Sequence, residues 1–388
     1  MKIVHVSISA PFIDDWGYQE NLLPKYLQME GTQNYIIASA NNIPTHLKSN
    51  ILSKGTNYVF DGIMVRRIPT KKITTSFSFT KGLHKVLKEI KPDVIFHHNL
   101  NCTSMPICAR YAKRKGIPMV CDNHADTINM TKHRLWAWFY YRFLTGIACK
   151  IYQDQIYKAY GVTYARCDFI HDYFGVAKNK IDFLPIGADV DLADTISAKA
   201  TLRQMYGFTN ENLLIVSGGK MGKGKGTDNL ICAVEELHDE YPMLSLILFG
   251  KFEDDETALQ ANNSQVTTVY GWCDRIKTLQ LLKVADVACW PIHHTTLIED
   301  AVSVCTPLIL RKTGTTEHLI EGNGVWIESG TKDEIKQSIQ FLLTQKQYQH
   351  NELLCACKKI RNAISYHTVA GKLLSDLSKN SICVYPKQ

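Results

Sequence analysis

Short apolar segments alternate with amphipathic segments along most of the chain. In the first half, the apolar runs predict strands, and segments with apolar positions three or four residues apart predict helices between them. The predicted strands are 3–9, 35–38, 63–67, 93–98 and 118–122, and the predicted helices are 19–29, 81–90 and 104–115. This alternation is typical of a parallel sheet wrapped by helices.

A second series of the same kind begins near residue 213. Its predicted strands are 213–216, 244–250, 266–270, 287–290, 307–310 and 324–327, and its predicted helices are 228–237, 274–283, 332–343 and 352–364. Because 388 residues are many for one hydrophobic core, we predict an α/β protein with two Rossmann-like domains, 1–190 and 191–365. A C-terminal helix and tail, 366–388, would pack back on the first domain. Ligands bind at the carboxyl ends of parallel strands, so we expect the two domains to face each other across a cleft.

The segment 217–231, SGGKMGKGKGTDNLI, joins an apolar strand to an amphipathic helix. Its five glycines let the backbone approach a ligand closely, and Lys220 and Lys225 lie among them. A helix N-terminus presents free N–H groups at the positive end of the helix dipole. The segment therefore predicts a site for a phosphate-bearing ligand, and the alternative is a solvated basic loop.

Composition narrows the class of protein. The chain has 45% hydrophobic and 21% charged residues, and it shows neither an apolar run of about 20 residues nor a signal-peptide pattern, so we expect a soluble protein. Its twelve cysteines contain no Cys-x-x-Cys pair, which favours reduced thiols in the cytoplasm.

Charge is unevenly distributed along the chain. Residues 1–190 carry 24 Lys and Arg against 14 Asp and Glu, a net charge of +10, and the remainder carries a net charge of −3. This basic half suggests an acidic partner: anionic lipid, a phosphorylated acceptor or nucleic acid. The alternative is that the charge difference between the halves reflects no binding partner.

Six segments in a fixed order resemble one protein family. They are 17–23 (GYQENLL), 185–189 (PIGAD), 219–228 (GKMGKGKGTD), 270–272 (YGW), 299–307 (EDAVSVCTP) and 314–320 (GTTEHLI). In this order they resemble the glycosyltransferases of family 4, which are retaining, use nucleotide sugars and have the glycosyltransferase B fold of two Rossmann-like domains.

The resemblance implies a donor site in the second domain. Lys220 and Lys225 would bind the donor diphosphate and stabilise the leaving group, and no cofactor or metal is expected, since no Asp-x-Asp triplet stands where a metal-dependent enzyme holds one. The other implied donor-binding residues are Gly17, Gly219, Trp272, His294, Thr295, Thr296, Glu299 and Asp300. Counting back from Pro307 aligns Asp300 with a family glutamate that bonds the nucleotide ribose, but the adjacent Glu299 could take that role instead. Both could equally be residues that favour a helix start. A second family glutamate is absent, because Ile292 stands in its place.

The resemblance also implies an acceptor side in the first domain. His124 follows a strand where the family has a histidine facing the transferred sugar, and Glu20 would lie on the acceptor side. The segment 132–143, KHRLWAWFYYRF, mixes basic and aromatic residues, among them Arg134 and Trp138. This composition favours contact with a lipid-linked acceptor or an anionic membrane, although a helix packed in the first domain would also explain it. No nucleic-acid-binding module is recognised, so no nucleic-acid partner is expected.

The resemblance implies that the chain moves a sugar from a nucleotide-sugar donor to a glycan or lipid-linked saccharide with retention at the anomeric carbon. The expected setting is bacterial surface polysaccharide (O-antigen, capsule or exopolysaccharide) synthesis, in the cytoplasm or peripherally on the inner face of the plasma membrane. Two alternatives stay open from the sequence: a nucleotide-sugar epimerase on the same fold, and a non-catalytic glycan-binding protein.

Overall fold

The computed structural model describes residues 1–44, 47, 50, 51, 53–73, 78–127, 134–348 and 350–381. The chain forms two compact units. One contains Met1–Pro185 and the C-terminal helix from Val369, and the other is Ile186–Thr368. Within the first unit, the C-terminal helix is held by Asp376, whose carboxylate accepts hydrogen bonds from Tyr160 and lies 3.1 Å from Lys158.

The first unit is built around a mainly parallel sheet. Its described strands are β1 (Lys2–Ser7), β2 (Gln33–Ser39), β3 (Asn57–Phe60), β4 (Ile63–Ile68), β5 (Thr70–Lys72), β6 (Ser78–Thr80), β7 (Val94–His97), β8 (Met119–Asn123), β9 (Ile156–Gly161) and β10 (Ile181–Phe183). Eight of them pair in the order β10-β9-β8-β7-β1-β2-β4-β3, and β5 and β6 form a separate hairpin. The edge strand β3 runs antiparallel to β4. The central strands are buried almost throughout, as expected for a sheet covered on both faces,.

Helices connect these strands. The α-helices described in the first unit before residue 185 are Gln19–Met29, Leu83–Ile90, Met105–Lys115, Arg134–Phe139, Gly146–Ile151 and Tyr164–Phe174, with a π-helix at Tyr140–Thr145 and a 3₁₀ turn at Lys178–Lys180. Local signals set several of their ends. Thr163 caps one helix by accepting a hydrogen bond from the Arg166 backbone, and Gly116 ends another in the left-handed conformation with φ 63°,.

The second unit contains a fully parallel sheet. Its described strands are β11 (Leu213–Met221), β12 (Leu244–Phe252), β13 (Thr267–Val269), β14 (Val287–Trp290), β15 (Leu308–Arg311) and β16 (Gly324–Ile327), in the order β13-β12-β11-β14-β15-β16. The remaining α-helices are Val190–Thr195, Lys199–Met205, Thr227–His238, Asp255–Asn263, Arg275–Val284, Leu297–Ser303, Lys332–Tyr348, His350–Ala363 and Tyr366–Ser381, with 3₁₀ turns at Lys223–Lys225 and Glu317–Leu319. Asp254 and Asp274 cap two of these helices through their carboxylates,.

The α/β prediction of two Rossmann-like units with parallel sheets is confirmed. The predicted end of one strand is wrong, and that end lies at the glycine-rich segment of the expected binding site. The strand expected to end at residue 216 continues as β11 to Met221, because Gly218 to Met221 pair in register with β12. The glycine-rich segment therefore begins inside the sheet. The antiparallel β3, the strands β9 and β10 and the hairpin of β5 and β6 have no counterpart in the sequence prediction.

Candidate functional site

A pocket of about 180 Å³ opens in the second unit at the carboxyl ends of β11 and β14. Its polar and charged lining comes from β11, the turn after it and the loop after β14. These residues are Ser217, Lys220, Lys225, Thr227, His293, His294 and Thr295. Pockets that enclose a whole small ligand measure roughly 300–1,000 Å³. The pocket therefore has room for a part of a ligand, such as a diphosphate group.

The turn from Gly222 to Gly226 forms one wall of this pocket. Gly222 donates its backbone N–H to Thr227 Oγ1 at 3.1 Å, and Lys223 donates its own to Asp254 Oδ2 at 3.1 Å. Gly226 has φ 73°, and a Cβ there would lie 3.0 Å from Pro291. Only glycine satisfies both constraints easily. The twelve-residue helix Thr227–His238 starts at this wall, so its positive end faces the pocket,.

Three lysines lie in or beside the turn, and they differ in their partners. Lys220 is largely exposed and lies 3.6 Å from Glu253, while Lys223 forms a 2.6 Å ion pair with Glu256. Only Lys220 and Lys225 line the pocket. In the described part of the chain, no carboxylate lies within ion-pair distance of Lys225. The pocket thus carries positive charge that the protein compensates only weakly.

The loop after β14 adds two histidines with different environments. Burial and, after it, the charge of Lys225 lower the pKa of His293, so this ring is neutral near pH 7. His294 Nε2 lies 2.8 Å from Glu299 Oε1, and the exposed fractions of the two side chains are 7% and 2%. Burial alone would raise the pKa of Glu299, but His294 and His318 outweigh it and lower that pKa.

Asp300 lies beside Glu299 but belongs to a different group of charges. Its Oδ1 is 3.6 Å from Arg275 Nη2, which also donates to Asp189 at 2.9 Å. Burial raises the pKa of Asp300 to about 6, and Arg275 opposes this shift only in part. A carboxylate held in so unfavourable an environment is a frequent mark of a functional residue.

Other residues of the expected donor site lie outside the pocket wall. Trp272 follows β13 and is 83% exposed. Gly219 precedes Lys220 on β11 with φ 98°, and the half-buried Thr296 stands just ahead of the helix Leu297–Ser303. The structure therefore brings together Lys220, Lys225, His294 and Thr295, but it does not place Trp272 or Thr296 with them.

In the first unit, buried polar side chains connect β1, β7 and β8. His98 Nδ1 donates to Asp122 Oδ2 at 2.7 Å, and the Asn99 backbone N–H donates to Asp122 Oδ1 at 2.7 Å. The other ring nitrogen of His98 lies 3.3 Å from His5 Nδ1. His124 Nε2 is 3.5 Å from the same Asp122 Oδ2. Asp122 therefore joins the buried histidines to His124, which is partly exposed.

The pKa directions agree with these hydrogen bonds. Burial alone would lower the pKa of His98, but Asp122 raises it above its ordinary value. His98 and His124 lower the pKa of Asp122, although burial opposes them. Burial and the neighbouring His98 lower the pKa of His5, and burial lowers that of His97 to about 3. The pair thus favours the positive form of His98 and the negative form of Asp122.

Glu20 and Gly17 lie near this cluster. Glu20 is in the first turn of the helix Gln19–Met29, where a negative charge favours the helix dipole, and it helps to raise the pKa of His98,. Gly17 lies in the loop just before that helix. The amide of Gln19 is buried, and neither of its polar atoms has a hydrogen-bond partner among the described residues.

The basic-aromatic segment is described from residue 134 onward, so the side chain of Arg134 and all of Lys132 and His133 lie outside the described set. Trp138 is exposed and contacts Phe143 edge to face at 5.1 Å. The large apolar side chains exposed between residues 135 and 151 are Leu135, Trp136, Trp138, Phe139, Phe143, Ile147 and Ile151. We call this set the apolar face.

Two family models match successive parts of the chain. The model described as Glycosyltransferase Family 4 matches residues 23–192, and the model described as Glycosyl transferases group 1 matches residues 198–353. Together these matches leave only short segments of the chain unmatched. The chain belongs to the family 4 glycosyltransferases.

Solved structures show the same fold as this family 4 glycosyltransferase. HepE from Anabaena in complex with UDP is 16% identical with a TM-score of 0.73, and the match covers 98% of this chain and 100% of that one. A glycosyltransferase from Rickettsia africae is 15% identical with a TM-score of 0.71, covering 97% and 98%. Sucrose-phosphate synthase from Thermosynechococcus elongatus is 12% identical with a TM-score of 0.70, covering 99% and 100%. No curated protein matches the chain in sequence.

Two features are absent from the described residues. No group of three or more His, Cys, Asp or Glu side chains in that part of the glycosyltransferase is arranged to hold a metal ion. No helix described here combines the length and the apolar character needed to cross a bilayer.

Sequence reasoning missed several pocket residues. Trp290 donates its indole N–H to the Gly218 carbonyl at 3.0 Å and so fixes the end of β11 against β14. Ser217, Met221 and Pro291 also line the pocket. The signal that could have found the β11 residues is the extension of that strand through the glycines, which brings its end into the wall.

Proposed function

We propose that this glycosyltransferase binds a nucleoside-diphosphate sugar with its diphosphate in the pocket of the second unit, and that it transfers the sugar with retention to a hydroxyl of a glycan or lipid-linked saccharide. The observation that carries the proposal is the placement of Lys220 and Lys225 on one pocket wall, at the start of the helix Thr227–His238. Two cations and a helix N-terminus together favour a dianionic group.

The same groups suit the chemistry of sugar transfer. The bond between the anomeric carbon and the diphosphate oxygen breaks, and its electron pair leaves with the nucleoside diphosphate. The acceptor hydroxyl oxygen forms the new bond on the same face of the sugar, and its proton passes to the departing diphosphate oxygen. Because negative charge grows on the diphosphate as the bond breaks, fixed positive groups there stabilise the transition state more than the bound donor. We propose that the lysines do this without a metal ion.

The ligands of a solved relative indicate where to begin. HepE was solved with UDP, with UDP-glucose, and with UDP and glucose. UDP is therefore the first nucleoside diphosphate to test, with GDP, ADP and CDP beside it, because low identity carries no donor preference over to this chain.

The three lysines of the turn provide a matched test. We expect Lys220→Ala and Lys225→Ala each to weaken nucleoside diphosphate binding about 10-fold in calorimetry, the usual effect of removing one charged hydrogen-bond donor. Lys223→Ala removes the same charge from the same turn, but Lys223 is paired with Glu256 and lies off the pocket lining. It should bind like the wild type. Equal effects of all three variants would indicate a general effect of charge and overturn the site.

We also propose roles for the remaining candidates. Asp300 would accept hydrogen bonds from the nucleotide ribose, since its carboxylate lies at a helix start near the pocket and is destabilised by burial. Gly219, Trp272, His294, Thr295 and Thr296 would complete the donor contacts, and Gly17 would do so from the loop before the first helix. His124 would hydrogen-bond the transferred sugar as a catalytic residue, oriented by Asp122, and Glu20 would serve the acceptor side.

The apolar face supports a further part of the proposal, peripheral contact with an anionic membrane. Leu135 is 85% exposed, and Trp136 and Ile151 are also more than half exposed. Basic Arg142 and Lys150 lie exposed in the same segment. Apolar and aromatic side chains with nearby cations are typical of surfaces that enter the headgroup region of anionic bilayers. Such contact would suit a lipid-linked acceptor and the assembly of a bacterial surface polysaccharide.

Vesicle flotation tests the membrane contact. We expect the wild type to float with vesicles containing phosphatidylglycerol, and a Leu135→Ser, Trp136→Ser variant to lose most of this binding. Leu259→Ser is the control, because Leu259 is an exposed leucine on a helix of the second unit. No flotation of the wild type would exclude the membrane contact and leave the donor site untouched.

A further inference from the structure

Glu299 is a buried carboxylate whose bonding is incomplete. It lies in the helix Leu297–Ser303 and is 1% exposed as a residue. Its Oε1 is bonded to His294, but Oε2 has no hydrogen-bond partner among the described residues. A buried negative charge is costly unless a positive group compensates it. The nearest groups that can do so are His294 and, behind it, His318, whose ring lies 6.2 Å from that of His294.

The hydrogen bond fixes the proton on one nitrogen of His294. An ionised carboxylate only accepts, so Nε2 of His294 must carry the hydrogen. Among the described residues, Glu299 is the sole hydrogen-bond partner of this ring. His294 also lines the pocket that holds Lys220 and Lys225. Nδ1 is therefore the ring nitrogen left to bind a ligand.

The charge of the ring decides what Nδ1 can bind. In a neutral ring with its hydrogen on Nε2, Nδ1 is an acceptor and repels a phosphate oxygen. In the imidazolium form both nitrogens donate, so a ring that lies between Glu299 at 2.8 Å and a bound diphosphate can donate to both anions,. The adjacent His293 has no such carboxylate, and its pKa is lowered. The two neighbouring histidines thus differ in chemistry.

We propose that Glu299 is a positioning residue that orients the His294 ring through Nε2–H, and that His294 Nδ1–H is a third contact to a donor diphosphate bound beside Lys220 and Lys225. This inference rests on the proposed donor site and deepens it. It also assigns the two adjacent carboxylates different roles, because Glu299 is bonded to His294, whereas Asp300 lies 3.6 Å from Arg275 and is the one proposed for the ribose.

The charges around His294 agree with this assignment. Lys220, Lys225 and the neutral His293 share the pocket wall with it, and Glu299 and His318 lie behind it. A bound diphosphate would offset the charge of the two lysines, so the diphosphate and the Nδ1–H contact should favour each other.

A double-mutant cycle tests the inference by calorimetry, using the nucleoside diphosphate among UDP, GDP, ADP and CDP that binds most tightly, and the matching nucleoside. We expect His294→Gln and Glu299→Gln each to weaken diphosphate binding about 5- to 10-fold and to leave nucleoside binding unchanged. The double variant should be no weaker than His294→Gln, because Glu299 acts only through the ring. Glu299→Asp should restore part of the affinity.

A second histidine–carboxylate pair in the same unit serves as the control. His367 Nε2 lies 2.8 Å from Asp191 Oδ1, and neither residue lines the pocket. His367→Gln should leave diphosphate binding unchanged, which separates a site effect from a general effect on the unit.

The outcomes separate failure of the inference from failure of the donor site. If the wild type binds none of the nucleoside diphosphates, or if Lys220→Ala and Lys225→Ala have no effect, the donor site itself is wrong. If the lysine variants lose affinity but His294→Gln does not, only the inference is overturned. Additive losses in the double variant, or equal losses for the nucleoside, also overturn it. Should Glu299→Gln fail to fold, the effect of His294→Gln alone decides.

Discussion

Each unit of this glycosyltransferase contains a buried histidine–carboxylate pair, and these two buried pairs differ in what surrounds them. His98 and Asp122 are fully buried at 2.7 Å, and backbone and side-chain groups of the same unit bind their other polar atoms. His294 and Glu299 lie 2.8 Å apart on a pocket wall, with one ring nitrogen and one carboxylate oxygen unused by the described residues. A pair whose hydrogen bonds are all satisfied supports the fold, whereas unused polar atoms beside a pocket indicate binding.

The largest expected effect comes from removing the charge of Asp122. Asp122→Asn removes the buried carboxylate that accepts the hydrogen bond of His98 and raises its pKa, so the free energy of unfolding should fall by about 3–5 kcal/mol, as for other broken buried pairs,. Urea unfolding measures this change. The control is Asp182→Asn: Asp182 forms ion pairs with Lys158 and Lys372 nearer the surface, so about 1 kcal/mol or less is expected.

This variant also tests whether His124 depends on Asp122. If Asp122 orients His124, sugar transfer by Asp122→Asn should fall in kcat beyond the fraction of protein that is unfolded. Equal stability of Asp122→Asn and the wild type would contradict the view that the first pair supports the fold.

The second effect is on acid stability. The pKa of His97 is lowered by burial to about 3, so between about pH 3 and 6.5 the unfolded chain carries a proton at this position that the folded chain lacks. The free energy of unfolding therefore rises with pH across this window and levels off above it. This one group contributes a slope of about 1.4 kcal/mol per pH unit.

Replacing His97 by Gln should remove that slope. We expect Gln to keep a hydrogen bond to Ser104, which now lies 2.8 Å from His97 Nε2. Urea unfolding at pH 4.5, 5.5 and 6.5 should then show a pH dependence flatter by about 1.4 kcal/mol per unit. An unchanged slope would mean that His97 is protonated in the folded protein, and the first unit would then hold more than one buried positive charge.

These two pairs also show what the sequence can predict. The alternation of apolar and amphipathic segments was enough for two Rossmann-like units, since burial on both faces of a parallel sheet imposes continuous apolar strands. Lys220 and Lys225 could be placed together because they are five residues apart in one turn. His98 and Asp122 are 24 residues apart and meet only because β7 and β8 are neighbours.

The pairing of His294 with Glu299 illustrates a different limit. The two residues are only five positions apart, but His294 lies in a loop and Glu299 in the helix that follows. The sequence does not determine the path of that loop, so it does not predict whether the two side chains meet. The adjacent Glu299 and Asp300 could not be separated by sequence. The structure separates them because the helix Leu297–Ser303 directs one toward His294 and the other toward Arg275.

A smaller effect is expected when the second pair is broken. Glu299→Gln should lower the free energy of unfolding by about 1–2 kcal/mol, less than Asp122→Asn. The reason is that His294 borders an open pocket and water can replace part of the lost interaction,. Thermal unfolding of both variants in one buffer checks the order. A larger loss for Glu299→Gln would mean that the second pair, too, mainly supports the fold.

The smallest effect is a gain in stability from Asp300→Asn. Burial raises the pKa of Asp300 to about 6, so between about pH 4 and 6 the folded chain holds a proton that the unfolded chain has lost. The free energy of unfolding therefore falls as pH rises through this window, and the penalty persists above it.

Asn carries no charge and avoids the penalty, although Arg275 then loses one of its two carboxylate neighbours. In urea unfolding, we expect Asp300→Asn to raise the free energy of unfolding by about 1 kcal/mol at pH 7.5 and to leave it unchanged at pH 4. The same variant should weaken nucleoside diphosphate binding. The control is Asp191→Asn, which removes a half-exposed carboxylate of the same unit. It should change neither the free energy of unfolding nor the binding. Loss of stability at pH 7.5 would show that Asp300 is mainly a partner of Arg275, and the ribose role would then have to be sought elsewhere on the pocket rim.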